Sequence, residues 1–325
     1  MNFSTTRRSL LALPLLALAG GVHAQAPAWP VKPVKIVVPY AAGGPADVTA
    51  REIAQKLAAA TGQSFVVDNQ GGSLGIPSLL AVTRAEPDGH TLWMPALGNA
   101  VLQPLLSKQG GAEYIARLRP VGMVTSSAHV LVVSSKLPVK NVQELVAYAK
   151  ANPGQLSFAS AGVGGTAHLA AELFKSLAQA DVVHVPYKGS AGAVNDLAAG
   201  RVQAMFSSLP SLQPLVDKGY VRLLAATAPS TSPATRSLPQ MSATLPGFEY
   251  ASWYAMYAPR QTPTPVVARI NALMQQVLKD PDLKARIEPH GMELVPTGPE
   301  EVATWVKRDE DKWRAVISKA GITLD

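Results

Sequence analysis

A glycine-rich loop, placed between an apolar segment and a helical one, most constrains what this 325-residue chain can fold into. The run from Phe158 to Glu172 is Phe-Ala-Ser-Ala-Gly-Val-Gly-Gly-Thr-Ala-His-Leu-Ala-Ala-Glu. This order predicts a buried strand that passes through the glycines directly into a helix. The first N–H groups of such a helix, together with its dipole, are directed at one point where a small anion can be held. The sequence therefore predicts a ligand site at this loop.

A dinucleotide is one ligand that such a loop could hold. Residues 162–167, Gly-Val-Gly-Gly-Thr-Ala, fit the pattern G-x-G-x-x-A after a strand. The pattern also requires an acidic residue about 20 positions further on, at the end of the next strand. Asp181 stands too early, at the start of that strand. The dinucleotide interpretation therefore fails, whereas anion binding by the loop remains.

A metal ion is a second alternative at the same helix. His168 and Glu172 are four residues apart, which places both on one helix face. No second pair of ligands lies near them in sequence, and the other histidines of residues 25–325 are dispersed. We therefore expect neither a metal nor a cofactor, and we expect His168 to line the pocket or the helix surface.

A nucleophile elbow is the third pattern. Residues 71–75, Gly-Gly-Ser-Leu-Gly, fit G-x-S-x-G between a strand and a helix, with Ser73 as nucleophile and His184 and Asp196 as its nominated partners. An elbow turns sharply at the serine itself, but here the glycines are separated from the strand end at Asp68. A ligand loop is the favoured interpretation, with Ser73 as a contact, and an exported serine hydrolase is the alternative.

A second loop resembles the first in its construction. Residues 39–47, Pro-Tyr-Ala-Ala-Gly-Gly-Pro-Ala-Asp, also pass from a strand through glycines to a helix N-terminus. A carboxylate at Asp47 stabilises the first turn of that helix by about 0.3–1 kcal/mol through the dipole. A role for Asp47 in helix capping and a role in ligand binding both remain open. If the carboxyl ends of the strands point inward, the two loops face one cleft.

The N-terminal segment, residues 1–24, is predicted to be a cleaved signal peptide. It combines Arg7 and Arg8, an apolar run over 10–19 and Val22-His23-Ala24 as the cleavage site before Gln25, and that apolar run is shorter than the ~20 residues that span a bilayer. A retained anchor is the alternative, and adjacent arginines also occur in twin-arginine signals. The chain has no cysteine, which suits a bacterial periplasm better than a eukaryotic exterior.

Charge excludes one large class of partners. The formal net charge is +7, but lysines and arginines are scattered along the chain without a basic stripe. This distribution argues against nucleic-acid binding, since such proteins concentrate basic residues on one face. We expect a soluble protein after removal of the signal, with a surface that mildly favours acidic solutes.

Strand-like and helix-like segments alternate, which predicts an α/β fold of two lobes, each a mainly parallel sheet with helices on both faces. Lobe 1 is predicted from 25–127 plus 229–325, and lobe 2 is 128–228, inserted through hinges near 125–129 and 227–233. The predicted strands are 34–40, 65–68, 90–94, 121–125, 130–134, 182–186, 202–207, 221–227 and 250–258, besides the one before the glycine loop. The predicted helices are 46–60, 77–83, 141–150, one ending at 178, 191–199, 211–218, 264–279, 281–287 and 299–319.

These motifs together resemble a known family. In this order and spacing, the chain is similar over nearly all of residues 25–325 to extracytoplasmic solute receptors of tripartite tricarboxylate transporters, the Bug family. The motifs that carry the resemblance are Trp29–Pro33, Val38–Gly44 with Asp47, Tyr148–Gly154, Ser160–Thr166 with His168, His184–Gly189 with Asp196, Leu197 and Gly200, Ser252–Tyr254, Ala258–Pro259 and Thr262–Pro265.

The resemblance implies a periplasmic binding protein of the Venus-flytrap type, without enzymatic activity, that captures a small carboxylate between its lobes. Its partners would be the permease subunits of a tripartite tricarboxylate-type transporter, and the receptor would be a monomer. A solute sensor without a dedicated permease is the alternative. The residues implied to contact the ligand are Tyr40, Ala42, Gly43, Gly44 and Asp47 from one lobe, Ser160, Ala161, Gly165, Thr166 and His168 from the other, and Tyr187 and Ser207 on the walls, besides Ser73.

The chain also departs from the family pattern in lobe 1. Pro45 and Ala46 stand where the family has glycine and then serine or threonine, and Leu74 adds bulk to the next loop. Residues 95–119 lack the usual tyrosine and Pro-Tyr-Asp pattern. These departures predict a less polar wall in lobe 1, and a ligand with an apolar or aromatic body beside its carboxylate.

Overall fold

The computed structural model describes residues 29–72, 75–107 and 111–322 of the chain. The predicted signal peptide, Ser73 and Leu74 lie outside these residues. Within the described ranges, no helix is both long enough and apolar enough to cross a membrane.

Short segments rich in valine, leucine and aromatic residues form the strands, as expected for buried β-structure. In the described part of the chain they are β1 (Val34–Val38), β2 (Phe65–Asn69), β3 (Thr91–Trp93), β4 (Leu118–Ala128), β5 (Val130–Ser134), β6 (Leu156–Ser160), β7 (Val182–Pro186), β8 (Ala204–Ser207), β9 (Val221–Ala226), β10 (Ala251–Pro259) and β11 (Glu293–Leu294).

Helices separate most of these strands. They are α1 (Pro45–Thr61), α2 (Ile76–Thr83), α3 (Gln103–Leu106), α4 (Gly111–Ile115), α5 (Val142–Ala151), α6 (Thr166–Ala178), α7 (Ser190–Ala199), α8 (Gln213–Asp217), α9 (Thr264–Val277), α10 (Pro281–Ile287) and α11 (Pro299–Ala320), and a π-helical turn, Gly98–Leu102, precedes α3.

The first sheet has the strand order β11-β4-β10-β3-β1-β2. Strand β1 pairs in parallel with β2 and β3, so that Ile36 lies beside Val67 and Leu92. Ile36 is fully buried, because helices cover the sheet. The loops that follow β1, β2 and β3 therefore leave the sheet at one edge, where side chains of lobe 1 can meet a ligand.

The second sheet has the order β7-β6-β8-β5-β9. Strand β6 pairs in parallel with β7 and β8, which places Phe158 between His184 and Ala204. Strand β5 is antiparallel to β8 and to β9. The glycine loop after β6 leaves this sheet at the carboxyl ends of its parallel strands.

Both sheets are mixed, whereas the alternation of segments predicted mainly parallel ones. Parallel pairing is confirmed among β1, β2 and β3 and among β6, β7 and β8. The antiparallel pairs include the strands that connect the sheets: β4 leads out of the first sheet and β10 leads back into it. Two neighbouring strands that cross the same boundary in opposite directions must be antiparallel, and β5 and β9 satisfy the same condition in the second sheet.

Three residues lie side by side where the chain passes between the sheets. His129 joins β4 to β5, Thr227 follows β9, and Tyr250 precedes β10. The Thr227 hydroxyl accepts a hydrogen bond from the His129 N–H (3.0 Å) and donates one to the Tyr250 carbonyl (2.8 Å). The Tyr250 hydroxyl also lies 3.0 Å from Nδ1 of His129. These bonds tie the crossing segments to one another.

Aromatic side chains connect the cores of the two sheets. Phe158 stacks on Phe206 in the second sheet, Phe206 stacks on Phe248, and Tyr250 contacts both Phe248 and Trp313 of α11. Helix α11 packs along β4 of the first sheet and also contacts α6 of the second. One continuous cluster of buried side chains thus includes residues from both lobes.

The order of predicted elements is confirmed in the described chain, with boundaries that differ by a few residues. The predicted helix start at 141 is also confirmed, because the Asn141 side chain caps α5 by accepting from the Glu144 N–H (2.8 Å), and the Glu144 carboxylate accepts from the Lys140 N–H (2.7 Å). The sequence did not predict the helical segment over 98–106, nor α4 and β11. The first of these lies in the candidate site.

Candidate functional site

The loop of lobe 1 after β1 is held by its own helix. Gly43 has a φ of +86°, a conformation that glycine adopts without a steric cost. Its N–H donates to the Asp47 carboxylate (2.9 Å), and both oxygens of that carboxylate lie within 3.0 Å of Nε of Arg51. Arg51 also donates to the side chain of Asn69, which in turn donates to the Tyr40 carbonyl. This network of hydrogen bonds joins the two ends of the loop between β1 and α1.

Asp47 is therefore a buried structural carboxylate, 4% exposed. The hydrogen bond from Arg51, together with that from the Gly43 N–H, holds the pKa of Asp47 below its usual value against the opposing effect of burial. Asp47 was predicted either to cap α1 or to contact the ligand. The structure places its carboxylate behind the loop and outside the cavity linings described below.

The loop of lobe 2 after β6 is held by two histidines. The Ser160 hydroxyl lies 2.6 Å from Nε2 of His184 and accepts from the Gly162 N–H (3.2 Å). Gly164, with a φ of +76°, donates its N–H to Nδ1 of His168 (3.0 Å). Since Nδ1 of His168 accepts this bond, its proton in the neutral ring is on Nε2.

The two histidine rings stack on each other behind this loop. Their centroids are 3.7 Å apart and their planes are inclined by 15°. Burial lowers the pKa of both rings, and the neighbouring His168 helps to lower the pKa of His184 to about 4. Nε2 of His168 lies 3.9 Å from the Glu172 carboxylate. Among the described residues no group of three potential metal ligands comes together.

Helix α6 begins at the loop of lobe 2 and leaves its first N–H groups outside the helical hydrogen-bond pattern. The first such bond runs from the Leu169 N–H to the Gly165 carbonyl (3.1 Å). The N–H groups of Thr166, Ala167 and His168 precede it, and the positive end of the helix dipole lies there. No acidic residue stands in the first turn of α6.

A cavity of about 320 Å³ lies between the loops of the two lobes and is called here the loop cavity. Lobe 2 contributes the N-terminus of α6, and lobe 1 contributes the loops after β1 and β2 and the segment over 98–106. Among the described residues the lining contains no Asp, Glu, Lys or Arg. It consists of Pro39, Tyr40, Gly72, Gly75, Gly98, Asn99, Gln103, Leu106, Gly164, Gly165 and Thr166.

A second cavity of about 340 Å³, called here the hinge cavity, lies beside the crossing segments. Its polar groups are hydroxyls and two histidine rings, and the rest of its surface is mainly apolar. Pro45 at the first turn of α1 lines it, whereas Tyr40 of the preceding loop lines the loop cavity. The remaining lining residues are Thr125, Ser127, His129, Ser208, Pro210, Ser211, Ser252, Trp253, Tyr254, His290 and Met292.

Three of the predicted contact residues line the loop cavity: Tyr40, Gly165 and Thr166. Other predicted residues have partners elsewhere. The Tyr187 hydroxyl donates to Asp196 (2.7 Å), and the Ser207 hydroxyl lies 3.0 Å from that of Ser211 at the hinge cavity. Ser160, His168 and Asp47 support the two loops from behind. Ala42, Gly43, Gly44 and Ala161 are loop residues outside both linings, and Ser73 lies outside the described residues.

The partners nominated for a hydrolase are not assembled. Nε2 of His184 pairs with the Ser160 hydroxyl, while Asp196 accepts from Tyr187 and Arg201. Ala46 is likewise not where the sequence predicted it. Its methyl group is buried in the core of lobe 1 at 2% exposure, so it does not form part of the cavity wall.

Sequence reasoning missed the residues of the loop cavity that follow β3. Gly98, Asn99, Gln103 and Leu106 come from a π-helical turn continued by a single turn of α3. A single π-helical turn is too short to show a repeating pattern of apolar residues in the sequence. Such turns are frequent at functional sites. The one available signal was two amide side chains, Asn99 and Gln103, inside an apolar run.

Comparisons with known proteins agree with this architecture. A model of the tripartite tricarboxylate transporter family receptors matches residues 49–322. The chain is 35% identical over 317 residues to a protein encoded in the tcbD–tcbE intergenic region of Pseudomonas sp. strain P51, covering 96% of this chain and 93% of that one. It is 30% identical over 322 residues to BugT of Bordetella pertussis, covering 98% of each.

Solved structures show the same fold. Rpa4515 of R. palustris with adipate has a TM-score of 0.78 at 34% identity, covering 91% of this chain and 99% of that one. MatC of Rhodopseudomonas palustris with bound malate has 0.73 at 29% identity, covering 89% and 100%. The fold is thus that of a two-lobed periplasmic binding protein. The chain belongs to the family of tripartite tricarboxylate transporter receptors, which are solute-binding proteins.

Proposed function

We propose that this protein captures a small carboxylate in the loop cavity and delivers it to the permease subunits of a tripartite tricarboxylate-type transporter. It acts as a monomer in the periplasm, after export directed by residues 1–24 through the general secretory or the twin-arginine route. Membership of the receptor family and the carboxylates bound to two related structures support this function.

The observation that carries the proposal is the N-terminus of α6 in the wall of the loop cavity. Gly165 and Thr166 line the cavity, and the N–H groups of the first turn lie at the positive end of the helix dipole. No described residue of the lining carries a carboxylate that would repel an anion. A carboxylate therefore finds hydrogen-bond donors and a favourable potential there without a basic side chain.

A thermal-shift screen against carboxylic acids, followed by titration calorimetry, tests this function. A ligand at one hundred times its Kd should stabilise the protein by about 2.7 kcal/mol. The matched control is the primary amide of each acid that binds, which keeps the shape and removes the charge. We expect the amide to bind at least tenfold more weakly. Equal binding of acid and amide would show that the cavity does not recognise an anion.

The body of the ligand is proposed to be apolar or aromatic. Pro39, Tyr40 and Leu106 give the loop cavity an apolar surface beside the α6 N-terminus. This lining supports the expectation drawn from the sequence, although Ala46 does not contribute to it. Calorimetry with citrate and with aromatic acids distinguishes the cases, since tight binding of citrate and no binding of aromatic acids would contradict the proposal.

The lobes are proposed to be 25–127 plus 229–325 and 128–228, and to close around the ligand. The division of the strands between the two sheets supports these limits. However, α11 contacts α6, and Phe248 packs against Phe206, so parts of the C-terminal segment also pack against lobe 2. Both contacts must be kept or rearranged when the lobes move.

A further inference from the structure

The two lobes touch each other beside the hinge cavity. Pro210 follows β8 of the second sheet, and Gly291 precedes β11 of the first. A Cβ atom at Gly291 would lie 3.2 Å from Cδ and 3.4 Å from Cγ of Pro210. The short helical turns at Leu209–Ser211 and Glu288–His290 also contact each other there. At this point a proline ring of lobe 2 therefore packs against the bare backbone of lobe 1.

Both partners of this contact lie on surfaces that border the cleft. Pro210 comes after β8, at the same edge of the second sheet as the glycine loop after β6, because β6 and β8 are parallel. Met292, next to Gly291, lies beside α1, with its sulfur atom 3.7 Å from the Thr49 hydroxyl oxygen. Pro210 and Met292 both line the hinge cavity, together with Pro45 at the start of α1. The contact therefore joins the cleft-facing surfaces of the two lobes.

Each side of the contact is anchored in the core of its own lobe. Leu209 and Leu212, on either side of Pro210, are buried in a cluster formed by residues of the second sheet and its helices. Met292, which follows Gly291, is buried in the cluster of lobe 1. A proline ring facing a backbone cannot yield by rotation of a flexible side chain. A displacement of one partner therefore has to move its lobe.

We propose that the contact between Gly291 and Pro210 sets how closely the two lobes approach each other, which makes Gly291 a positioning residue for ligand binding. Non-bonded carbon atoms pack at about 3.5–4.0 Å, so a Cβ atom at position 291, only 3.2 Å from Pro210, would push the lobes apart. Without a side chain at 291, the α6 N-terminus can approach the loops of lobe 1. This inference rests on the proposed closure of the lobes around a carboxylate, and it names a contact that limits this closure.

Asparagine at position 291 tests the proposal with little backbone strain. Gly291 has a φ of +70°, and Asn tolerates this region better than most residues. The matched control is Gly62→Asn at the end of α1, where φ is +71° and no described atom lies within 4 Å of the Cβ position. Both variants place the same side chain on a left-handed backbone, but only Gly291→Asn adds atoms between the lobes. Pro210→Ala removes the Cγ and Cδ atoms that the new side chain would meet, so it should rescue Gly291→Asn.

Pulsed electron paramagnetic resonance measures the separation of the lobes directly in the ligand-free mature protein. The chain has no cysteine, so spin labels can be attached through Ala272→Cys on α9 and Ala147→Cys on α5, two exposed positions in different lobes. Gly291→Asn should lengthen the mean distance between the labels. Gly62→Asn should leave this distance unchanged, and Gly291→Asn combined with Pro210→Ala should return it to the wild-type value.

Calorimetry with adipate and malate, the acids present in two related structures, extends the test to binding. If only about a tenth of the Gly291→Asn molecules can close, the affinity for an acid that binds the wild type should fall about tenfold. Addition of Pro210→Ala should restore this affinity, whereas Gly62→Asn should leave it unchanged.

The possible results separate this inference from the proposed function. An unchanged label distance in Gly291→Asn, an equal change in Gly62→Asn, or no rescue by Pro210→Ala would overturn the role of the contact, while carboxylate binding would stand. A longer distance with unchanged affinity would overturn Gly291 as a positioning residue. If neither acid binds the wild type, the label distances alone decide on the contact, and the thermal-shift screen decides on the carboxylate-binding function.

Discussion

Asp47 supports the loop beside the loop cavity without lining the cavity itself. Its carboxylate joins the N–H of Gly43 to Arg51 and so fixes the loop whose residue Tyr40 borders the cavity. Asp47→Ala removes the acceptor and leaves the Gly43 N–H unpaired. We expect it to lower the free energy of unfolding by about 1–3 kcal/mol, the cost of a buried group left without its partner. Urea denaturation at pH 7 measures this.

The pH dependence distinguishes the charge of Asp47 from its hydrogen bond. Because the folded state lowers the pKa of Asp47, its contribution is complete above the unfolded pKa of about 3.9 and is lost as the pH falls through the folded value. Asp47→Asn keeps an acceptor for Gly43 but loses the charge. The stability difference between wild type and this variant should therefore shrink below about pH 4. A constant difference down to pH 3 would contradict the charge-based account.

His184 should affect stability at a higher pH than Asp47 does. The folded state favours the neutral form of His184, whereas it favours the charged form of Asp47. Its folded pKa is lowered to about 4, so the unfolded state takes up the proton first when the pH falls below about 6.5. Wild type should therefore lose about 1–2 kcal/mol from this group between pH 7 and pH 5. In His184→Gln, whose amide can still bond to Ser160, this loss should be absent.

Thermal unfolding of the two proteins from pH 7 to pH 5 provides the measurement for His184. His129 also has a pKa lowered to about 4 by burial, and it is present in both proteins, so only the difference between them reports on His184. Parallel curves for the two proteins would mean that the histidine stack does not hold His184 neutral.

At the level of single residues, the sequence predicted which residues belong to the two glycine loops better than it predicted where their side chains point. Both glycine loops were found, because glycines after a buried apolar segment are an unambiguous local signal. Whether a side chain of the loop points to the ligand or to its own helix depends on the geometry of the folded turn. Asp47 points to Arg51, and His168 to the Gly164 N–H, each four residues away. The spacing permits these pairs, but it does not exclude a side chain that points to a ligand instead.

At the level of elements, the junction of β6 and α6 offers a matched pair of glycines. Gly164 has a φ of +76°, whereas the neighbouring Gly165 precedes α6 with a φ of −74°. Gly164→Ala should lower the free energy of unfolding by about 1–2 kcal/mol, because a side chain is strained in the left-handed region. Gly165→Ala should cost less, since its φ suits any residue and its Cβ would meet only the Gly162 carbonyl oxygen, at 3.5 Å, although alanine is less favourable than glycine at the N-cap of a helix.

Gly165→Ala should weaken ligand binding more than Gly164→Ala, although it lowers stability less. Gly165 lines the loop cavity, so a methyl group there occupies space close to the N–H groups that are proposed to hold the carboxylate. We expect Gly165→Ala to weaken carboxylate binding by tenfold or more in calorimetry, although it costs less stability than Gly164→Ala. Normal affinity in Gly165→Ala would place the carboxylate away from the α6 N-terminus.

Helices and strands whose apolar residues repeat at regular intervals were predicted well, and segments without such a repeat were not. Helix α11 repeats its apolar residues along one face over 22 residues, and its predicted limits of 299–319 are close to the observed Pro299–Ala320. The segment over 98–106 combines a π-helical turn with a four-residue helix. The segment packs against α11, and local propensity in so short a segment is too weak to reveal its conformation.

On the scale of the whole molecule, the two sheets share one buried cluster of side chains, and each sheet also has a cluster of its own. The buried cluster runs from Trp93 in the first sheet through Tyr250 and Trp313 to Phe206 and Phe158 in the second. Two lobes with separate cores could unfold separately, but here unfolding of either would expose part of the shared cluster to water. The sequence could not predict this, because Phe248 and α11 were assigned to lobe 1 from their position in the chain.

We therefore expect the protein to unfold in one cooperative transition. All five tryptophans lie outside residues 128–228, so their fluorescence reports on lobe 1 and α11, whereas far-UV circular dichroism reports on both sheets. The two signals should give the same urea midpoint, as a two-state transition requires. Phe248→Ala, which removes the ring between Phe206 and Tyr250, should lower stability by about 3–5 kcal/mol and shift both signals equally. A shift confined to the circular dichroism signal would mean that the lobes fold independently.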